Sequence, residues 1–168
     1  MLRWDQVRRL IVQHAAPAVK PLGFGAPGRT MRRYRQDFVD VIDFRCSKWN
    51  DRAVVAFGCD LRQFPKFDVP NPKPWECTFG FQPLDAWPER LLEFQGSVET
   101  QIESLRAFTP LFAAEVQRWF GLLPSLQVVR EAVDHNTFPG PNCIGSFKIP
   151  SPAYHEAVRK LEAALAAK

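Results

Sequence analysis

Two aspartates and two arginines in the first half of the chain have spacings that suit a binding site. Asp43 and Arg45 lie two residues apart, while Arg32 and Asp60 lie in the segments on either side. In an extended strand, residues two apart share one face. Carboxylates beside guanidinium groups stay ionised, which suits ligand binding better than proton transfer. The pattern therefore indicates a mixed-charge binding site.

The cysteines offer two other kinds of chemistry, and neither has a typical spacing. A nucleophilic set would combine Cys143, His135 and Asp134, but adjacent residues usually point in different directions. A metal site would have to combine Cys46 and Cys59, which lie on neighbouring strands but not directly opposite each other, with Cys77 or His14 from elsewhere. No CxxC pair occurs. We therefore predict no catalytic residue, no metal and no cofactor, and expect the cysteines to be small buried side chains.

Alternation with a period of two predicts three strands that carry the mixed-charge residues. The apolar and polar residues alternate over the ranges 29–35, 38–48 and 52–61. Short polar turns separate these ranges, so they form an antiparallel meander. The first hairpin then places Met31 opposite Ile42 and Arg33 opposite Asp40.

The second hairpin has a register that depends on its turn. If Asn50-Asp51 is a two-residue turn, Ile42 lies opposite Cys59 and Phe44 opposite Phe57. These pairs are apolar, as the core face of a sheet requires. On the other face, the same register sets Asp43 opposite Gly58 and Arg45 opposite Ala56.

That other face carries the candidate ligand or partner residues. A charged pair over small side chains leaves room for a bound group, although a solvated face or a covering helix is also consistent with the pattern. The candidate residues at this face and its strand end are Arg32, Tyr34, Asp43, Arg45, Ser47, Lys48, Trp49 and Asp60.

The rest of the chain is predicted from prolines and helical periodicity. Four prolines in residues 62–76 predict an extended surface loop. Residues 75–81 are expected to rejoin the sheet, with Trp75, Cys77, Phe79 and Phe81 on one face. Residues 87–96 fit either a strand or a helix.

Helices are predicted at both ends of the chain. The first covers residues 4–20, and Pro17 is expected to kink it or end it early. In the last third, Ser97 caps a helix that restarts or kinks at Thr109-Pro110 and stops at Gly121. A short helix after Pro124 and a final helix from residue 151 flank a loop at 134–150. We predict one α+β domain over residues 1–168, with an antiparallel sheet of about four to five strands, an N-terminal helix and a helical C-terminal third packed on the sheet.

Composition and charge limit the classes of partner. The chain has 168 residues and a net charge of +4, with 11 basic and 5 acidic residues in the first 52. Asp37, Asp40 and Asp43 are interleaved with the arginines of this region, which disfavours nucleic acid as a partner. No apolar stretch is long enough for a membrane span, and the N-terminus has no signal-peptide core. We expect a cytoplasmic protein without a membrane partner.

A resemblance to a known family rests on two groups of residues. Gly23-Phe24, Gly28-Arg29-Thr30 and Tyr34-Arg35 resemble the "GF…grtfyR" opening of bacterial domain-of-unknown-function family 4304. Residues 45–49 are similar to its "QkSkw" strand end, with Arg45 in place of Gln, and Gly58 stands where Asn is usual. The resemblance covers about residues 8–61. It implies a fold, and no established activity.

Two hypotheses of function follow from these observations. The first is a non-catalytic protein-interaction module of immunity or adaptor type, because exposed Arg, Trp and Tyr are typical of interfaces. The second is a small-ligand or nucleotide-binding protein, and potentially an enzyme, that uses the mixed-charge face of the sheet. A pocket on that face favours the second hypothesis, and a covering element argues against it.

Overall fold

The computed structural model describes residues 2–46, 52–81, 86–93, 96–134 and 152–168. Its strands are β1 (Thr30–Tyr34), β2 (Phe38–Cys46), β3 (Ala53–Leu61) and β4 (Phe79–Phe81). Its α-helices are α1 (Trp4–His14), α2 (Val98–Gly121), α3 (Leu126–Asp134) and α4 (Pro152–Ala166). Short 3₁₀ turns cover Ala16–Leu22, Pro74–Glu76 and Glu89–Leu92. The last of these lies in the segment for which the sequence left strand and helix open.

The four strands form one antiparallel sheet in the order β1-β2-β3-β4. The fold is therefore α+β, as predicted, with an N-terminal helix and helices in the C-terminal third. The first hairpin pairs Met31 with Ile42 and Arg33 with Asp40, which confirms its predicted register. The N–H of Arg35 still donates to the carbonyl of Phe38, so the turn itself is only Gln36-Asp37 and the local sequence defines the pairing.

The predicted register of the second hairpin is wrong by two residues. Ile42 lies opposite Phe57 rather than Cys59, and Asp43 opposite Ala56 rather than Gly58. Arg45 lies opposite Val54. β2 ends at Cys46 and β3 begins at Ala53, and the predicted turn at Asn50-Asp51 lies outside the described residues. A two-residue shift keeps every side chain on its predicted face.

The return to the sheet after the prolines is shorter than predicted. Only Phe79–Phe81 is a strand, while Pro74–Glu76 forms a 3₁₀ turn that begins with proline. Proline has no N–H group to donate to a sheet, so pairing resumes only beyond it. Cys77 packs with Val39 and Val41, whereas Phe79 belongs to the main core. The prediction that Cys77 and Phe79 share one face is therefore wrong.

Two prolines in the helices have different effects. α1 ends at His14, and the chain continues through Pro17 as a 3₁₀ turn, close to the early end that was predicted. α2, in contrast, runs without interruption through Pro110. Pro110 is exposed, and the buried Phe108 and Phe112 on either side of it stack with ring centroids 5.3 Å apart. Packing of this face outweighs the helix-breaking tendency of the proline.

The core lies between one face of the sheet and the helices. Phe44 and Phe57 of the sheet contact Phe112 of α2, at centroid distances of 5.3 and 6.5 Å. Trp119 of the same helix lies 5.8 Å from Phe57. The core also includes residues of α1, α3 and α4. The opposite face of the sheet is therefore the one on which the candidate residues lie. In the part of the chain that is described, no helix is long and apolar enough to cross a membrane.

Candidate functional site

The candidate face of the sheet is covered by residues 62–78, here called the proline-rich segment. The Arg32 side chain reaches across to it and donates from Nη2 to the carbonyl oxygens of Asn71 and Pro72, at 3.0 and 3.1 Å. Lys160 of α4 donates to the carbonyl of Pro65 at 2.6 Å. Side chains from β1 and from α4 thus hold the proline-rich segment in place. Where the segment crosses the candidate face, it covers that face of the sheet.

Gly58 marks the closest approach of the proline-rich segment to the sheet. A Cβ atom at this position would lie 2.6 Å from the Cα of Pro74 and 2.7 Å from the Sγ of Cys77. These distances are far shorter than carbon contacts in packed proteins. A glycine is needed here because backbone packs directly on backbone.

Asp60 has a structural task at the same contact. Its fully buried carboxylate accepts hydrogen bonds from the backbone N–H of Lys66 at 3.0 Å and of Thr78 at 3.0 Å. The Thr78 hydroxyl adds a bond of 2.5 Å. Burial raises the pKa of Asp60, and the bonds from Thr78 and Lys66 oppose that rise. Asp60 of β3 therefore binds the proline-rich segment at two places, near its start at Lys66 and at its end at Thr78.

Asp43 lies further along the same face and is less completely satisfied. Its buried carboxylate accepts a 2.6 Å hydrogen bond from the Thr30 hydroxyl through Oδ1, and Arg29 Nε lies 3.7 Å from that oxygen. Oδ2 has no hydrogen-bond partner among the described residues. Burial raises the pKa of Asp43, against the Thr30 bond and the positive charges of Arg29, Arg45 and Lys73.

Two cations that act on Asp43 also contact one aromatic ring. The guanidinium of Arg45 and the ammonium of Lys73 each lie 5.2 Å from the centre of the Trp75 ring. Cation–π contacts at this distance are attractive. Trp75 and Lys73 were missed as site residues because their segment was expected to be a surface loop followed by a strand. The alternation of prolines with aromatic and basic residues was the signal available in the sequence.

The structure separates the predicted site residues into three groups. Arg32 and Asp60 hold the proline-rich segment, and Asp43 and Arg45 lie together at the other end of the face. Tyr34 lies in the same row of the sheet as Asp60 and is 59% exposed. Ser47, Lys48 and Trp49 lie outside the described residues, so their role stays a prediction.

An exposed apolar pair lies on the outer side of the proline-rich segment. Phe67 is 50% exposed and Val69 is 37% exposed, and the ammonium of Lys66 lies 5.4 Å from the Phe67 ring centre. Lys66 is the residue whose backbone is bound to Asp60. We define the recognition surface as Tyr34, Lys66, Phe67, Val69, Lys73 and Trp75.

Of the three cysteines in the described residues, Cys59 and Cys77 are buried, as predicted, whereas Cys46 is exposed at the end of β2, so the prediction is wrong for Cys46. Burial raises the pKa of the Cys59 and Cys77 thiols, so both stay protonated. Among the described residues, no three His, Cys, Asp or Glu side chains come together as metal ligands. Cys143 and His135, from the nucleophilic alternative, lie outside the described residues.

Comparison with known proteins finds no relative. No protein-family model, no curated protein and no solved structure matches the chain. The resemblance to family 4304 therefore stays a prediction. Function has to be argued from the site itself.

Proposed function

We propose that the protein is a non-catalytic interaction module that binds an acidic protein partner through the recognition surface. The observation that carries the proposal is the exposure of Phe67 and Val69 on a segment that is fixed to the sheet at both ends. A single exposed apolar residue is ordinary in a soluble protein. Here, however, the exposed side chains belong to a held loop, which is how binding residues are commonly presented.

The fixed backbone favours binding in energetic terms. A flexible loop loses conformational entropy when it binds, and a held loop has already lost it on folding. Arg32, Asp60 and Gly58 each serve to hold the proline-rich segment in place. Arg32 and Asp60, which were predicted as ligand residues, thus support the proline-rich segment. The outer side of that segment is left to contact a partner.

The charge of the surface selects an acidic partner. Lys66 and Lys73 are exposed beside the aromatic rings, and Asp68 is an exposed acid between Phe67 and Val69, whereas Asp43 and Asp60 are buried. The two exposed lysines therefore outnumber the exposed acid. Complementary charge steers association and sets specificity. Aromatic side chains and cations around an apolar centre are typical of interfaces. A small ligand on this face could not use Arg32 and Asp60, because their polar groups already bind the proline-rich segment.

Photo-crosslinking in cells tests the proposal. A benzoylphenylalanine placed at Phe67 or Tyr34 is expected to capture one protein with an acidic surface, and the same probe at Leu111 is not. Leu111 is the matched control because it is a 40% exposed apolar residue on α2. With the purified pair, we expect Phe67→Ala and Lys66→Glu to weaken binding by about tenfold or more. Equal capture from all three positions, or unchanged affinity in both variants, would refute the proposal.

A further inference from the structure

Residues 66–71, here called the tip of the proline-rich segment, form a run in which all six residues are exposed. The N–H of Val69 donates to the carbonyl oxygen of Phe67 at 2.9 Å. A backbone hydrogen bond over this spacing closes a three-residue turn, and the middle residue lies at its apex. Asp68 is that middle residue. The tip therefore carries an acid at the apex of a tight turn, with an exposed apolar residue on either side of it in the chain.

Both ends of the tip are bonded to the sheet. The backbone N–H of Lys66 donates to the Asp60 carboxylate at 3.0 Å, and the carbonyl oxygen of Asn71 accepts from Arg32 at 3.0 Å. A loop that is held at both ends loses less conformational entropy on binding than a flexible one. The position of Asp68 is thus largely set before a partner arrives.

The carboxylate of Asp68 is not used by the part of the protein that is described. Asp68 is exposed and makes no hydrogen bond or ion pair with the described residues. Aspartate in a turn commonly accepts a hydrogen bond from nearby backbone, and no such bond is formed here. The neighbouring ammonium group of Lys66 donates instead to the carbonyl oxygen of Trp75 at 3.4 Å. The turn itself therefore gives no reason for an acid at its apex.

A partner that covers the tip must also deal with this charge. Phe67 and Val69 are 50% and 37% exposed, and the proposed function places both in the interface. Asp68 lies between them in the chain, so its carboxylate loses water when a partner covers both neighbours. Burying a carboxylate without a hydrogen-bond donor is costly. A protein that supplies the donor is therefore selected over one that does not.

We infer that Asp68 determines the specificity of the interaction and binds an arginine of the partner, an inference that rests on the proposed function. Arginine is the cation that suits a desolvated site, because its guanidinium group is weakly hydrated and matches a carboxylate with paired hydrogen bonds. The partner is thus acidic where it faces Lys66 and Lys73, and carries an arginine between apolar contacts where it faces Asp68.

Binding of the protein that the Phe67 probe captures tests the role of Asp68. The affinity of the purified pair is measured by surface plasmon resonance. We expect Asp68→Asn to weaken binding by about tenfold or more, because a charge-assisted hydrogen bond is lost. Glu103→Gln removes an exposed acid of α2 and is the matched control, which should leave the affinity unchanged. Changing the arginine of the captured protein to Gln should cost little further affinity in Asp68→Asn.

The sign of the effect separates the role of Asp68 from the proposed function. A partner that is acidic throughout repels Asp68, so Asp68→Asn would then tighten binding. Tighter or unchanged binding, or a loss that couples to no arginine of the captured protein, would overturn the assignment and leave the proposed function standing. If neither the Phe67 nor the Tyr34 probe captures a protein, the proposed function fails, and so does the role of Asp68.

Discussion

Arg35 binds Asp40 through two parallel hydrogen bonds, 2.7 Å from Nε to Oδ2 and 2.8 Å from Nη2 to Oδ1. Arg33 donates to the same carboxylate at 2.8 Å, and Asp40 is fully buried. The two guanidinium groups also donate to the carbonyl oxygens of Leu22 and Leu123. Leu22 ends the first 3₁₀ turn and Leu123 follows α2. One carboxylate therefore connects β2 to the ends of two helical segments.

Removing the Asp40 charge should destabilise the fold strongly. We expect Asp40→Asn to lower the free energy of unfolding by about 3–5 kcal/mol, because two largely buried guanidinium groups lose their counter-charge. Urea denaturation at neutral pH measures this change. Asp5→Asn is the matched control, since Asp5 also contacts two arginines but is well exposed. Equal midpoints for the two variants would contradict a structural role for Asp40.

A side chain at Gly58 should displace the proline-rich segment. The added Cβ of Gly58→Ala would meet Pro74 at 2.6 Å, so the backbone has to move. We expect a loss of about 1–3 kcal/mol, as for other overpacked sites, and faster proteolysis within residues 62–78. Gly121→Ala serves as control because no atom lies within 4 Å of its added Cβ. It should keep or raise stability, by up to about 1 kcal/mol. A fully stable, protease-resistant Gly58→Ala would disprove the close approach.

Asp60 should control the local opening of the same segment. In Asp60→Asn, an amide N–H₂ replaces one acceptor oxygen and faces the backbone N–H groups of Lys66 and Thr78. We expect hydrogen exchange at these two amides to accelerate more than exchange in α2, because the segment opens without global unfolding. Exchange measured by NMR resolves the two regions. Uniform acceleration across the whole chain would argue that Asp60 only supports global stability.

The buried Asp43 should make stability depend on pH in a particular direction. Burial raises its pKa above the ordinary 3.8. The folded state then binds the proton more tightly than the unfolded state, so the contribution of Asp43 is most favourable below pH 3.8. That contribution is lost as the pH rises through the folded pKa. Relative to wild type, Asp43→Asn should therefore gain stability between about pH 3 and pH 7.

Urea denaturation of both proteins at the two pH values checks the effect of Asp43. The quantity of interest is the difference in unfolding free energy between variant and wild type, because other carboxylates cancel in it. Asp68→Asn, at an exposed site on the proline-rich segment, should give the same difference at both pH values. If Asp43→Asn loses stability on going to neutral pH, the Asp43 carboxylate is held ionised by its three neighbouring cations instead.

Local patterns were enough to predict the first three strands, the faces of their side chains and the start of α2. Alternation over residues 29–61 identified β1, β2 and β3, and the short turn before Phe38 identified the register of Met31 against Ile42. Ser97 predicted the start of α2, where its hydroxyl accepts a hydrogen bond from Thr100. These features depend on residues close in the chain, so the sequence alone carries them.

The use of the candidate face was decided by contacts between distant parts of the chain. Arg32 meets Pro72 across 40 positions, and Lys160 meets Pro65 across 95. The sequence indicated that Arg32 and Asp60 face the same side of the sheet, and that prediction holds. It did not show that the proline-rich segment would take up their hydrogen bonds, because a polar side chain looks the same in sequence whether water, a ligand or the protein backbone binds it. Only the tertiary structure shows that the proline-rich segment packs over Gly58, so that the predicted ligand residues support this segment instead.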